Sequence, residues 1–103
     1  MTLNDFKTEL VAADPTAKRY KNALRPNYTV WHEYDTNNLR GDDRIVDSIP
    51  KVQIDRFTKI EDDPIVAAIT EMLNDNDIAF SGPLTVAETE SGYIHHIWTC
   101  EVD

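Results

Sequence analysis

Three histidines, one cysteine and nineteen carboxylates are the side chains of this 103-residue chain that could do chemistry, and their spacing decides how much. His95 and His96 are adjacent. On a strand, neighbouring side chains point to opposite faces, so this pair cannot chelate one metal without distortion. His32 could approach either of them across a sheet, but two imidazoles without a placed carboxylate fall short of a metal site. The simpler reading is sheet histidines with hydrogen-bond partners, and neither metal nor cofactor is expected. Cys100 is the single cysteine, which excludes an internal disulfide and a cysteine-based zinc site and suits a reducing compartment. Its place in an alternating apolar run predicts a buried packing thiol, whose apolar surroundings suppress the thiolate. The acids Asp42 and Asp43, and Glu61, Asp62 and Asp63, lack calcium-loop spacing; turn formation and helix capping account for both groups. With only three glycines there is no phosphate loop, and no nucleophile elbow is visible, so catalysis is not expected. Large rigid aromatics either fill cores or anchor interfaces. Trp98 reads as core, and Trp31 as either core or a subunit contact, because its strand is apolar on both faces.

The elements that would position these residues follow from periodicity. Leu3, Phe6, Leu10 and Ala13 recur at helical spacing behind Thr2 and Asp5, a capping-box pair, and Asp14 before Pro15 closes that helix. Residues 17–27 read as a polar connector with a basic cluster, Lys18, Arg19, Lys21 and Arg25. The run Tyr28, Thr29, Val30, Trp31, His32, Glu33, Tyr34 is aromatic and β-branched and predicts a strand, followed by a long polar turn over 35–43. A second strand begins near Arg44 and is clear over 52–58, with Val52 and Ile54 inward opposite Gln53 and Asp55; Pro50 argues for an edge, a bulge or a break there. Asp63 as cap and Pro64 as first helical residue start a second helix with the stripe Ile65, Ala68, Ile69, Met72 and Leu73, which 74–77 stop. Residues 78–80 and 84–88 are strand material around a turn at 81–83. In the last strand, 93–102, Ile94, His96, Trp98, Cys100 and Val102 alternate with Tyr93, His95, Ile97, Thr99 and Glu101. The expected fold is α+β: a single domain over 1–103, in the order α-β-β-α-β-β, with two helices on one face of an antiparallel sheet of about four strands.

Charge is unevenly placed. All ten Lys and Arg lie at or before Lys59, alongside nine acids, whereas the other ten acids follow it with no cation among them. Nucleic-acid affinity comes mostly from neutralising phosphates, so stable DNA binding is not expected of such a chain. An acidic surface that solubilises, or that steers a complementary protein, remains open. Residues 1–10 lack the pattern of a signal peptide, and no apolar run approaches the roughly 18 residues of a membrane span; a membrane role is not expected.

The series formed by 28–34, a polar loop, 52–59, an Asp-rich helix start and a closing strand over 93–102 resembles the small tail terminator proteins (tail completion, or tail-to-head joining) of siphophages infecting Gram-positive bacteria. The resemblance spans roughly 28–103, and the first helix fits it; the connector 17–25 and the His95, His96 pair depart from it. It implies a virion structural protein, assembled in the host cytoplasm, that caps the finished tail tube, halts its elongation and presents a joining surface to the head-tail connector protein. It also implies a ring, usually of six copies. The expected partners are further copies of the chain, the tail tube protein and the connector, with DNA passing through the ring lumen.

A closed ring needs two different patches of one subunit to meet, and a basic N-terminal cluster beside an acidic C-terminal portion suits that. The candidate interface residues are Lys18, Arg19, Lys21, Arg25, Trp31, Arg40, Asp42, Asp43 and Arg44. The loop 35–47 is long enough to reach a neighbour or to stay a hairpin of its own. Surplus acid on the lumen would keep passing DNA from adhering. Two other readings use the same residues: another phage neck component or protein-binding module, and a small enzyme built on His32, His95 and nearby carboxylates.

Overall fold

The computed structural model describes residues 1–21, 26–36 and 49–103. The elements are α1 (Leu3–Ala13), β1 (Ala17–Arg19), β2 (Tyr28–Thr36), β3 (Pro50–Thr58), α2 (Pro64–Asp75), β4 (Ala79–Ala87) and β5 (Ile94–Glu101). The strands form one sheet in the order β1-β2-β3-β5-β4, and the protein is α+β as expected. Both helix starts follow their local signals. The Thr2 hydroxyl accepts from the Asp5 amide at 3.0 Å while the Asp5 carboxylate accepts from the Thr2 amide at 3.1 Å, satisfying two donors that a helix start leaves orphaned. Asp63 caps α2, its Oδ1 accepting from the Ile65 amide at 3.0 Å ahead of Pro64.

Three details correct the expected topology. The connector after α1 contains a fifth strand, β1, which pairs in parallel with β2 through Ala17↔Thr29, Lys18↔Val30 and Arg19↔Trp31, so the sheet is mixed. Its residues lack strand periodicity because it is held by tertiary contacts: Arg19 lies over the Trp31 ring, 4.9 Å from its centroid, and its guanidinium pairs with Glu33. β3 is the central strand despite Pro50. Pro50 is its first residue, a position where proline is tolerated. Residues 79–87 are one strand, with a register shift between Ser81 and Leu84 where a turn was expected. There Gly82 has φ +115° and precedes a cis peptide to Pro83.

Cross-strand register assigns the two faces. One carries Trp31, Ile54 and Trp98 in a row and Val52 beside Cys100, and both helices cover it. Phe6 meets Trp31 edge-on at 5.4 Å, and Trp98 Nε1 donates to Thr70 of α2 at 3.0 Å. Phe6, Leu10, Ile69 and Leu73 complete the core. At one end of this layer is a buried ionic network. Arg56 of β3 donates through Nε and Nη2 to Asp63 at 3.0 and 2.9 Å, and through Nη1 to Thr16 at 3.1 Å and Thr29 at 3.3 Å. Asp14, the cap residue ending α1, lies 3.7 Å from Arg56 and accepts from the Thr16 amide and the Thr29 hydroxyl. One guanidinium thus ties the end of α1, the start of α2 and two strands. Burial opposes ionisation of Asp63, but its bonds from Ile65, Thr58 and Arg56, together with the Arg56 charge, hold its carboxyl below the ordinary value.

Candidate interaction surfaces

The opposite sheet face carries neither helix. Its rows, read from the register, are Tyr28, Phe57, His95 and Val86; Val30, Asp55, Ile97 and Leu84; and His32, Gln53, Thr99 and Ser81. It mixes apolar and polar side chains, most of them half-buried, and among the described residues no second layer packs on it. Phe57 stacks between Tyr28 at 5.0 Å and His95 at 4.1 Å, and Tyr93 meets Tyr28 edge-on at 6.0 Å. Lys59 sits 5.0 Å from the centre of the Tyr93 ring. Burial, with Tyr93 and Glu88 nearby, raises the Tyr28 phenol above its usual pKa, so the ring stays neutral. Toward the β4 edge, Leu84 is 63% and Val86 45% exposed.

Within this face lies one constellation with chemical potential. His95 Nε2 is 2.8 Å from Asp55 Oδ1, and its Nδ1 is 3.7 Å from Glu88 Oε2. The Gln53 amide donates to both Asp55 oxygens at 3.0 and 3.1 Å. The arrangement orients an imidazole, yet both of its partners are carboxylates; Asp55 is buried, and among the described residues no helix covers the group. His32 does not join it. The two histidines share this face, but His32 pairs with Gln53 and His95 with Phe57, four residues apart along β3, or roughly 13 Å. His96 points to the helix side, its Nδ1 2.9 Å from the Thr85 hydroxyl. Burial lowers its pKa, with His95 and Arg56 adding to that against the pull of Asp63. Burial also pushes the Cys100 thiol up to about 12. Among the described residues no group of three or more His, Cys, Asp or Glu is placed to hold a metal ion, and no helix is long and apolar enough to cross a membrane.

The sequence-predicted interface residues separate. Lys18 and Lys21 are exposed at the β1 edge, with Arg19 between them paired to Glu33. Trp31 is 1% exposed and packed on Phe6. Its reading as a subunit contact is therefore corrected: strand alternation placed it on the helix-covered face, where it has no surface to offer a partner. Arg25, Arg40, Asp42, Asp43 and Arg44, with most of the loop 35–47, lie outside the described residues. Sequence reasoning grouped His95 with nearby carboxylates without naming Asp55 as its partner, and it missed the Arg56 network. The signal for the second was present: Val52, Ile54 and Arg56 share one strand face, and a cation continuing an inward apolar set demands buried acids. No protein-family model and no curated protein sequence matches this chain.

Proposed function

We propose that this chain is a siphophage tail terminator: a virion protein that assembles as a ring on the finished tail tube, stops its elongation and offers the joining surface to the head-tail connector. The observation that carries the reading is the sheet face away from the helices, where an aromatic row ends at exposed Val86, with exposed Leu84 in the next row. Such a patch is the ordinary mark of a protein contact, and it fits a brick whose work is association. The strand series resembling that family supports the same conclusion, as does the separation of Lys18 and Lys21 from the acidic residues beyond Lys59. In this reading the protein is not an enzyme, and the surplus carboxylates discourage adhesion of DNA moving through the lumen.

The test is electron microscopy of particles made without this gene. Overlong tails, or tails unjoined to heads, are the expected outcome; tails of normal length attached to filled heads would refute the role. A second reading, a small hydrolytic or proton-transfer enzyme, is favoured only by the 2.8 Å contact of His95 with Asp55. Turnover of a small substrate that is lost in His95→Gln would support it and overturn the structural role.

A further inference from the structure

Among the described residues the sheet ends in two strands with one free side each, β1 and β4. The β1 edge is three residues long and carries Lys18 and Arg19, the short cationic form that discourages strand addition. β4 is the reverse. None of its nine residues is charged, and Leu84, Thr85, Val86 and Ala87 are all exposed. The ladder to β5 fixes where their backbone groups point. The Glu88 amide donates to the Tyr93 carbonyl at 2.8 Å, and successive residues of an antiparallel strand turn alternately toward and away from one neighbour. Val86, opposite His95, and Leu84, opposite Ile97, therefore bond to β5, whereas the amides and carbonyls of Thr85 and Ala87 point outward. Outward backbone groups beside exposed apolar side chains are a template for another strand.

The free stretch is bounded at both ends. Before it, the register shift between Ser81 and Leu84 breaks the ladder, and Pro83 has no amide hydrogen to offer. After it, the chain turns away at Glu88, whose carbonyl accepts from the Gly92 amide at 3.0 Å. The Glu88 carboxylate is turned back toward Ser91 and His95. What remains is 83–87, centred on Thr85. We infer that this edge pairs antiparallel with the same edge of a second copy, about a two-fold axis through Thr85. In that register the outward groups of Thr85 meet those of Thr85 in the other copy, and the two exchange both bonds. Leu84 of each copy then lies against Val86 of the other on the helix-free face, an apolar cross-strand pair made twice. The two Glu88 side chains stand at opposite ends of the contact, so no charge meets another. Length and side-chain pattern select the occupant. It must be a short uncharged strand whose middle residue turns its backbone outward between two apolar side chains on one face, and this edge meets each requirement itself; β1, with two cations in three residues, does not. A patch that matches itself in this way makes an isologous contact. Such a contact closes at two copies and cannot build a ring, so the inference stands apart from the tail-end reading.

The test uses the purified full chain and its mass in solution. Sedimentation should show reversible pairing of copies between micromolar and millimolar concentration, and added salt should not weaken it, because no ion pair is used. Val86→Lys, which sets a cation against Leu84 of the other copy, should abolish the pairing while keeping the wild-type urea midpoint. Cross-linking reads the register without asking for a loss. Under mild oxidation, Leu84→Cys mixed with Val86→Cys should give disulfide-linked pairs containing one of each, in excess of either variant linked to itself. Lys18→Cys mixed with Val86→Cys should give no mixed pairs. A wild-type chain that stays monomeric to millimolar concentration would overturn the inference. So would pairing that persists in Val86→Lys, or Val86→Cys that links to Lys18→Cys but not to Leu84→Cys. Tail length in particles made without the gene reports on the other reading and leaves this one untouched.

Discussion

Replacing Arg56 with Met would remove the buried cation that Asp14 and Asp63 face. All three residues are almost fully buried, Arg56 at 3% exposure and Asp14 at 0%. The change deletes the paired Nε and Nη2 bonds to Asp63 and the Nη1 bonds to Thr16 and Thr29. The carboxylates keep their bonds from Thr16, Thr29 and the Ile65 amide, but their charge is no longer compensated. Removing one partner of a buried ion pair destabilises by about 3–5 kcal/mol, and the surviving bonds favour the lower part of that range. Against a total stability of about 5–15 kcal/mol for a domain, that is a large loss. With a urea dependence of about 2 kcal/mol per molar, the midpoint should fall by about 1.5–2 M at neutral pH with an unchanged slope. The deficit should shrink in acid, because the Arg56 bond and charge are part of what holds the Asp63 carboxyl below its ordinary value; such a group contributes stability that is lost as pH falls through its folded value, and without the guanidinium there is less of it to lose. Arg56→Lys should fall between wild type and Met, since it keeps the charge but not the planar fork. A midpoint shift below about 0.5 M in Arg56→Met would refute the claim that this network joins the helices to the sheet.

Three further outcomes follow from single sites. In Gly82→Ala the new Cβ would lie 2.5 Å from the Ile97 carbonyl oxygen at φ +115°, so a loss of about 2–3 kcal/mol is expected by thermal melting. Gly92→Ala, at φ +77° with open space around it, should lose about 1 kcal/mol; equal losses at both sites would contradict the steric argument. Cys100, buried with its thiol raised to about 12, should react with a maleimide only as fast as the chain unfolds; rapid labelling in the absence of denaturant would show that β5 is open to solvent. Because the folded His96 has a pKa below its ordinary 6.5, the unfolded chain takes up that proton first as pH falls. Stability should therefore decline below about pH 6.5, and His96→Gln should lack this limb in urea titrations run at a series of pH values. The contribution of Asp63 has the same sign but is lost only below about pH 3.8, as pH falls through its lowered folded value, which separates the two.

Local signals were sufficient wherever one stretch of chain carries its own reason to adopt a shape. Thr2 with Asp5, and Asp63 with Pro64, satisfy helix-start donors from neighbouring residues. The alternation through Trp98, Cys100 and Val102 declares which side of β5 is buried, and the helix stripe of α2 does the same for Ile69, Met72 and Leu73. The α+β class was legible from these alone. What tertiary structure decided concerns groups whose partners are distant in the chain. β1 becomes a strand because Arg19 finds Trp31 and Glu33, not because of its own composition. Pro50 tolerates a central strand because it stands at the strand's first position. Trp31 was ambiguous on a strand apolar on both sides, since alternation separates two faces without saying which one the helices will cover. For the same reason the Asp55–His95 pair, joined across 40 residues, and the contrast between the two sheet edges appear only once strand order is known. A side chain's immediate neighbours shape the backbone, but its exposure, charge partners and availability to another molecule depend on which remote segments pack against it.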